Sequence, residues 1–235
     1  MNVSQYLNRL KPIIDREYWL QIEAIKGAAI VETRVVKDFG LIVKNHLHFL
    51  PKQYGLTVFC SNANAVYIED QLKEVYGVNM VNIGNSSMNA LDYNNFLTSQ
   101  TFWGLLPYEK TLIFQTDSLL LRKGIEKYEK YDYIGACWGH MGRQVGNGGL
   151  SLRTNKLMKA IIETEKYNAN AHGNEDVYFS KRIEAVGGIK PSCEIANTFS
   201  IETMYYSDPI GIHAIEKWLA PHLIDGIFNR SINEL

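Results

Sequence analysis

No stretch of this sequence is apolar for long enough to cross a bilayer. Its first residues, MNVSQYLNRLKPIIDREYWL, carry Arg9, Lys11, Asp15, Arg16 and Glu17 where a signal peptide or anchor needs an unbroken apolar run. No transmembrane segment and a cytoplasmic location are therefore expected. Cysteine is scarce: Cys60, Cys137 and Cys193 are odd in number, far apart and in no CxxC or CxxH spacing, which reads as three reduced core residues. Charge of one sign is lacking too, because 24 Lys and Arg face 25 Asp and Glu in a dispersed pattern of net charge -1. No clustered basic face exists to neutralise a phosphate backbone, so no nucleic-acid partner is expected. A small anionic ligand needs only local positive groups and stays open. No GK[ST] follows a glycine loop and no GxGxxG follows the first strand, which excludes a Walker loop and a dinucleotide fingerprint. Internal repeats, low-complexity tracts and Gly/Ser/Pro linkers are absent as well.

What remains is globular. The sequence is 46% hydrophobic and 21% charged, and its 235 residues are within the range of one α/β domain. Residues 4 to 20 hold Tyr6, Leu7, Leu10, Ile13 and Ile14 at helical spacing after Ser4 as a possible cap, with Pro12 predicting a short or broken lead-in helix. AAIVET, residues 28 to 33, is an apolar run of the kind covered on both faces of a parallel sheet. Helical DFGLIVKNHLHFL, strand LTVFCS, helical NAVYIEDQLKEVYG and strand VNMVNIG follow, an alternation that predicts right-handed βαβ units. An amphipathic DYNNFLTSQTFWGLL then leads into KTLIFQTDSLLL, in which the polar QTDS, Gln115 to Ser118, interrupts the apolar run. Ligands of open α/β sheets collect at the carboxyl ends of strands, so this interruption is a candidate site. The second half contains YDYIGACWG, VGNGGLSLR, helical NKLMKAIIETEK and EDVYFSKRIEAVG, and a C-terminal PIGIHAIEKW, and both halves are expected to share one sheet.

Four features carry chemistry. Asp117, at a strand end after LIFQT, needs a cation or hydrogen-bond donors to meet its charge, although a turn or capping aspartate would look the same. Gly146, Gly148 and Gly149 allow close approach of a ligand or positive φ, or form a tight turn. Asn174, Glu175 and Asp176 open an apolar-periodic helix, where carboxylates either cap the positively polarised end or act as a rigidly mounted base. His213, one of six histidines, is spaced i, i+4 from Lys217, so that on a helical turn an imidazole for a metal and an ammonium for a phosphate would point the same way.

Taken in order, strand-QTDS, GNGG-LSLR, NED-V and IGIH-AIEKW resemble the shared core of GT-A glycosyltransferases. The phrasing FQTDS, YDYIGACW, VGNGGLSLR, EDVYFS and PIGIHAIEKW is similar to a family of poorly characterised glycosyltransferases, over roughly residues 28 to 218. The resemblance implies an α/β, Rossmann-like GT-A fold: one domain over residues 1–235 with a mostly parallel central sheet flanked by helices. Its nucleotide-binding half would span about 25–121 and its acceptor and metal-completing half about 122–235.

By position, Asp117 matches the last Asp of the DxD motif, which binds the metal that bridges the donor diphosphate, and Gln115 stands where the first Asp would be. Gly148 and Gly149 match the loop beside donor sugar and acceptor. Asp176 matches the xED carboxylate that deprotonates the acceptor hydroxyl in inverting members, with Glu175 left to hydrogen-bond an acceptor hydroxyl or cap the helix. His213 matches the third metal position, and Lys217 the basic residue that often meets the β-phosphate. Glu32, Thr33, Arg34 and Asn62 fall where the family holds the nucleotide.

The implied reaction moves a hexosyl or pentosyl group from a UDP- or GDP-type sugar to a saccharide or glycoconjugate acceptor, with inversion. A Mn²⁺ or Mg²⁺ ion and Lys217 would stabilise the departing diphosphate. Alternatives are a non-catalytic carbohydrate or nucleotide-sugar binding module, in which Gln115 marks decay of the metal site, and a sugar-1-phosphate nucleotidyltransferase. The latter would carry a Gly-rich basic signature where VETRVVKDFG stands. Trp103, Trp138, Tyr205 and Tyr206 could stack on sugar faces, although large aromatics are more often core.

Overall fold

The computed structural model describes residues 1–84 and 87–235. In chain order the first half runs α1 (Val3–Ile14), β1 (Lys26–Val31), α2 (Phe39–Phe49), β2 (Tyr54–Cys60), α3 (Ala65–Gln71), β3 (Asn79–Asn82), α4 (Ala90–Leu97), α5 (Gln100–Leu105), β4 (Lys110–Phe114) and β5 (Ser118–Leu120). The second half runs β6 (Tyr133–Ile134), β7 (Cys137–Trp138), β8 (Gln144–Val145), β9 (Leu150–Thr154), α6 (Asn155–Thr164), α7 (Ala169–His172), α8 (Glu175–Arg182), α9 (Cys193–Phe199), β10 (Ser200–Ile201), β11 (Gly211–His213) and α10 (Pro221–Asn233).

The apolar runs become strands covered on both faces. Six of them form the main sheet in the order β3-β2-β1-β4-β9-β6. Neighbours from β3 to β4 are parallel, and β9 is antiparallel to both β4 and β6, so both halves of the chain share this sheet as expected. Side-chain alternation divides β1 between two cores: Ala28 and Ile30 join the cluster that contains residues of α1, α2 and α10, whereas Ala29 and Val31 join the one that contains residues of α4, α5, α6 and α8. Leu112 and Phe114 of β4 face the first cluster and Ile113 the second. Two covered faces explain why these strands read as continuous apolar segments.

KTLIFQTDSLLL does not form one strand. The Ser118 hydroxyl and backbone N–H both donate to the Gln115 carbonyl, at 2.7 and 3.1 Å, and turn the chain after Phe114. β5 thereby leaves the main sheet and pairs antiparallel with β11 in a second sheet of order β10-β11-β5. Asp117 and His213 are brought together across this small sheet, although 96 residues of sequence separate them.

α1 is short, as expected, and stops at Ile14, two residues past Pro12, where a missing N–H removes a single intrahelical bond. Three expectations change. The cap of α1 is Asn2, in a reciprocal capping box with Gln5, rather than Ser4. The helix predicted through Gly77 ends at Gln71, and Val75–Tyr76 pairs instead with Tyr18–Trp19. The cysteines are not all reduced: Cys137 on β7 and Cys193 at the start of α9 form a disulfide with Cα atoms 5.2 Å apart, and Cys60 is free and buried. A separation of 56 residues conveys no proximity; packing of α9 on β7 creates it. No helix among the described residues is long and apolar enough to cross a membrane.

The unreduced, denatured protein should therefore titrate one thiol, and three after reduction. The double variant Cys137→Ser/Cys193→Ser should lose about 2–4 kcal/mol in a denaturant melt, the usual worth of a bridge that closes a loop of this order. Three thiols before reduction would show that the bridge does not form.

Candidate functional site

The carboxyl ends of β1 and β4, the loop before β9, the start of α8 and the end of β11 enclose a cavity of about 580 Å³. This is the volume of a pocket for a sizeable small molecule. Glu32, Thr33, Arg34, Gln115, Asp117, Gly148, Gly149, Glu175, Asp176 and His213 all line it. Two residues expected there do not. Lys217 reaches the site only through Asp117, and Asn62 lies outside the cavity, where its Oδ1 accepts a hydrogen bond from Asn82 at 2.6 Å.

The glycine loop explains itself sterically. A Cβ on Gly146 would overlap the Trp138 ring, one on Gly148 the Glu175 carboxylate, and one on Gly149 the His213 imidazole. Gly146, Gly148 and Gly149 all keep negative φ, and the left-handed position is Asn147, at φ 65°. The Asn147 Oδ1 accepts the N–H groups of Gly149 and Leu150 at 2.8 and 3.2 Å, which fixes the entry into β9. The glycines thus admit the site's own side chains.

Glu175 and Asp176 behave differently although they are adjacent. Glu175 is 2% exposed and accepts a bidentate pair of bonds from the fully buried Arg153, at 2.6 and 3.0 Å. The guanidinium also lies over the rings of Tyr133 and Phe179, at 4.9 and 5.5 Å. Glu175 is thus committed to Arg153 and makes no helix-cap hydrogen bond; the Glu175 N–H is instead capped in trans by the Asn94 Oδ1 at 3.0 Å. Asp176 is half-buried, and its two oxygens accept the N–H groups of Gly148 and Val177 at 2.9 and 2.8 Å. Burial, with the Glu175 charge added, raises its carboxyl to about 6, against the lowering effects of Gly148, Arg153 and Val177. A carboxylate with that value can accept a proton near neutral pH.

At the opposite wall, Asp117 meets an imidazole and an ammonium. Its Oδ1 is 3.2 Å from the His213 Nε2 and its Oδ2 is 3.2 Å from the Lys217 Nζ. Burial alone would raise the Asp117 carboxyl, but hydrogen bonding and charge from His213, with Lys217 added, hold it well below the usual carboxylate range. His213 is raised to about 9: burial opposes its charge, and Asp117 and Glu202 more than offset that. His213 and Lys217 do not share a helical turn, since His213 ends β11 and Lys217 closes a 3₁₀ turn; they converge because Asp117 lies between them. Among the described residues no group of three or more His, Cys, Asp or Glu is placed to hold a metal. Asp117 and His213 could supply two donors.

At the β1 end, the Arg34 guanidinium is bound by the Glu32 carboxylate through two contacts of 2.8 Å, and the Thr33 hydroxyl accepts the Met88 N–H at 2.8 Å. Arg34 is thus paired within the chain, with its side chain largely exposed on the cavity rim. Of the four aromatics singled out, Trp103 and Trp138 are buried and Tyr205 and Tyr206 are partly exposed. Sequence reasoning missed Arg153, Asn94 and Glu202. An arginine in the strand LSLRT, where every neighbour is buried, was a visible signal for the first; Asn94 and Glu202 gave none.

Residues 78–213 match the family described as "Protein of unknown function (DUF5672)". No curated protein matches the sequence. Solved structures do resemble the fold. The apo form of the glycosyltransferase GlyE from Streptococcus pneumoniae TIGR4 has 11% identity and a TM-score of 0.52, covering 89% of this chain and 62% of its own. The mannosyltransferase PcManGT from Pyrobaculum calidifontis, in complex with GDP-Man and Mn²⁺, has 10% identity and a TM-score of 0.51, covering 80% and 62%. TarS 1-349 from S. aureus, in complex with UDP, has 13% identity and a TM-score of 0.50, covering 88% and 65%. The fold is GT-A, and this chain spans less than two thirds of the length of each of these structures.

A buried ion pair that has lost one member leaves an uncompensated charge, at a cost of about 3–5 kcal/mol. Glu175→Gln should therefore lower folding stability by that order in chemical denaturation, and Glu175→Leu/Arg153→Met should recover much of the loss. A Glu175→Gln protein of wild-type stability would return Glu175 to the list of ligand contacts.

Proposed function

We propose that this chain, which belongs to the DUF5672 family of proteins of unknown function, is a metal-dependent glycosyltransferase that moves a sugar from a nucleoside-diphosphate donor to an acceptor hydroxyl with inversion. The observation that carries this is the pairing, across one cavity, of a carboxylate poised near 6, Asp176, with a cation-binding corner at Asp117 and His213. A displacement at a sugar carbon needs a base on one side and charge stabilisation of the leaving group on the other.

The donor set fits a divalent ion. Asp117 Oδ1 and His213 Nε2 stand 3.2 Å apart, close to the spacing of neighbouring donors around a six-coordinate ion with bonds of about 2.1 Å. A bound Mn²⁺ or Mg²⁺ would supply charge to the diphosphate as it leaves, its other positions being open to phosphate oxygens and water. Charge balance favours such an ion. Arg34 neutralises Glu32 and Arg153 neutralises Glu175, which leaves Asp117, Asp176 and Glu202 facing His213 and Lys217. This surface offers an incoming diphosphate little net positive charge.

Asp176 is the proposed base: it takes the acceptor proton while the N–H of Gly148 holds its other oxygen in place. Lys217 steadies the β-phosphate when it exchanges Asp117 for the ligand. Glu32, Thr33, Arg34 and Gln115 hold the nucleoside end, and Gly148 and Gly149 leave room for the sugar. Asn62 belongs at most to the outer edge of that region. UDP and GDP donors both remain in view, as PcManGT with GDP-Man and TarS with UDP illustrate for their own folds. A cytoplasmic location sits uneasily with the Cys137–Cys193 bridge, since disulfides persist mainly in oxidising compartments.

A binding module would also use the cavity. Asp117→Asn should abolish Mn²⁺-dependent binding of UDP and GDP sugars in titration calorimetry; unchanged Mn²⁺-dependent affinity would remove Asp117 from the metal site. Turnover of the wild type should rise with pH through about 6 and then level off, because the base must lose its proton. Asp176→Asn should keep donor binding but lower turnover by roughly 10²–10⁴-fold, with loss of the pH step. It should also cost about 1–3 kcal/mol of stability, because the amide NH₂ meets the N–H of either Gly148 or Val177. Retained anomeric configuration in the product, read by NMR, would rule out the inverting mechanism.

A further inference from the structure

We propose that Glu202 is the positioning residue that presents His213 to Asp117, an inference that rests on the metal-dependent reading of the cavity. Glu202 follows β10, and the parallel register Ser200↔Gly211 and Ile201↔Ile212 carries it alongside His213. Its Oε1 lies 3.4 Å from the His213 Nδ1, a nitrogen that is buried and has no closed hydrogen bond. Its Oε2 accepts the Trp138 indole N–H at 2.7 Å. One imidazole nitrogen thus faces Asp117 and the other faces Glu202, while the ring lies against Gly149, where a Cβ would overlap it.

The two ring nitrogens point in divergent directions. Glu202 therefore addresses the nitrogen that does not face Asp117 and is no third donor for an ion held between Asp117 and the His213 Nε2. A carboxylate behind a ligating imidazole fixes which nitrogen faces the metal and raises its basicity. Glu202 is itself anchored. Trp138 directly follows Cys137, and α9, which begins at Cys193, runs straight into β10 and Glu202, so one covalent bridge ties the segments that carry donor and acceptor.

The test is a double-mutant cycle on the full chain, with Mn²⁺ affinity in the presence of UDP or GDP read by electron paramagnetic resonance. Glu202→Ala should weaken Mn²⁺ by 10- to 100-fold, the usual worth of such a partner. If Glu202 acts through His213, adding Glu202→Ala to His213→Ala should cost nothing further. An equal additional loss in the His213→Ala background would mean that Glu202 acts only as a distant negative charge, and would overturn the proposal. So would a Glu202→Ala affinity within twofold of wild type. Glu202→Gln keeps an acceptor for Trp138 without the charge; it should retain the wild-type melting temperature and lose Mn²⁺ affinity at least threefold. It decides the matter where Glu202→Ala does not fold, since an unchanged affinity in Glu202→Gln would also overturn the proposal. A wild type that binds no Mn²⁺ with either diphosphate would sink the transferase reading and this inference with it, whereas wild-type binding that survives in Glu202→Ala sinks this inference alone.

Discussion

The buried ion pair between Arg153 and Glu175 is the interaction on which the rest of the site depends. Both charges are almost fully removed from water, a loss that Coulomb attraction offsets only with good geometry. Here the geometry is good: two short parallel bonds, the Ser151 hydroxyl at 2.9 Å from the Arg153 Nε, and aromatic rings near the guanidinium. The pair links β9 to the start of α8, so Asp176, the next residue, is aimed by two rigid elements. It also requires a glycine at 148, because any side chain there would strike Glu175. The charge that anchors the helix further contributes to holding the Asp176 proton, as Glu175 is the nearest like charge. Burial is the larger cause of that proton affinity, and the ion pair adds to it while it stabilises the fold.

The same economy appears at the opposite wall. Gly149 is small because His213 lies against it, and the Gly149 carbonyl accepts the Gln115 N–H at 2.9 Å as the β4–β9 pairing continues past the strands. Asp117 likewise accepts the Ala214 N–H on its backbone carbonyl at 2.9 Å, which locks the start of β5 to the residue after His213. Backbone ladders, rather than long flexible side chains, set the distance between the two candidate metal donors. Such placement is the kind of preorganisation that makes electrostatic stabilisation effective.

Much of this was legible in the sequence, for definable reasons. β1, β2 and β4 announced themselves as apolar runs because both of their faces are covered, and QTDS stood out because polarity interrupts such a run. His213 was singled out by its place in PIGIHAIEKW, whereas the structure shows His46, in the helix LIVKNHLHF, fully buried against Phe114 and lowered to about 4 by burial. What could not be read was pairing across long separations. Arg153 was visible as a misfit in its strand, but its partner 22 residues away was not. Asn94 caps a helix 81 residues distant, and Cys137 meets Cys193 only because α9 packs on β7. Periodicity reports which face of an element is buried and never which element buries it.

Gln115 is an uncharged side chain in a cavity already rich in carboxylates. Glu32, Asp117, Glu175, Asp176 and Glu202 all line the cavity, and only two of them are neutralised by arginines. A further carboxylate at position 115, whose N–H is bonded to the Gly149 carbonyl, would add like charge to the cavity that Asp176 lines. Like charge raises a carboxyl that burial has already brought to about 6. An amide keeps the hydrogen-bonding capacity of the position without that penalty, and leaves charge compensation at the other wall to Asp117 and the imidazole beside it.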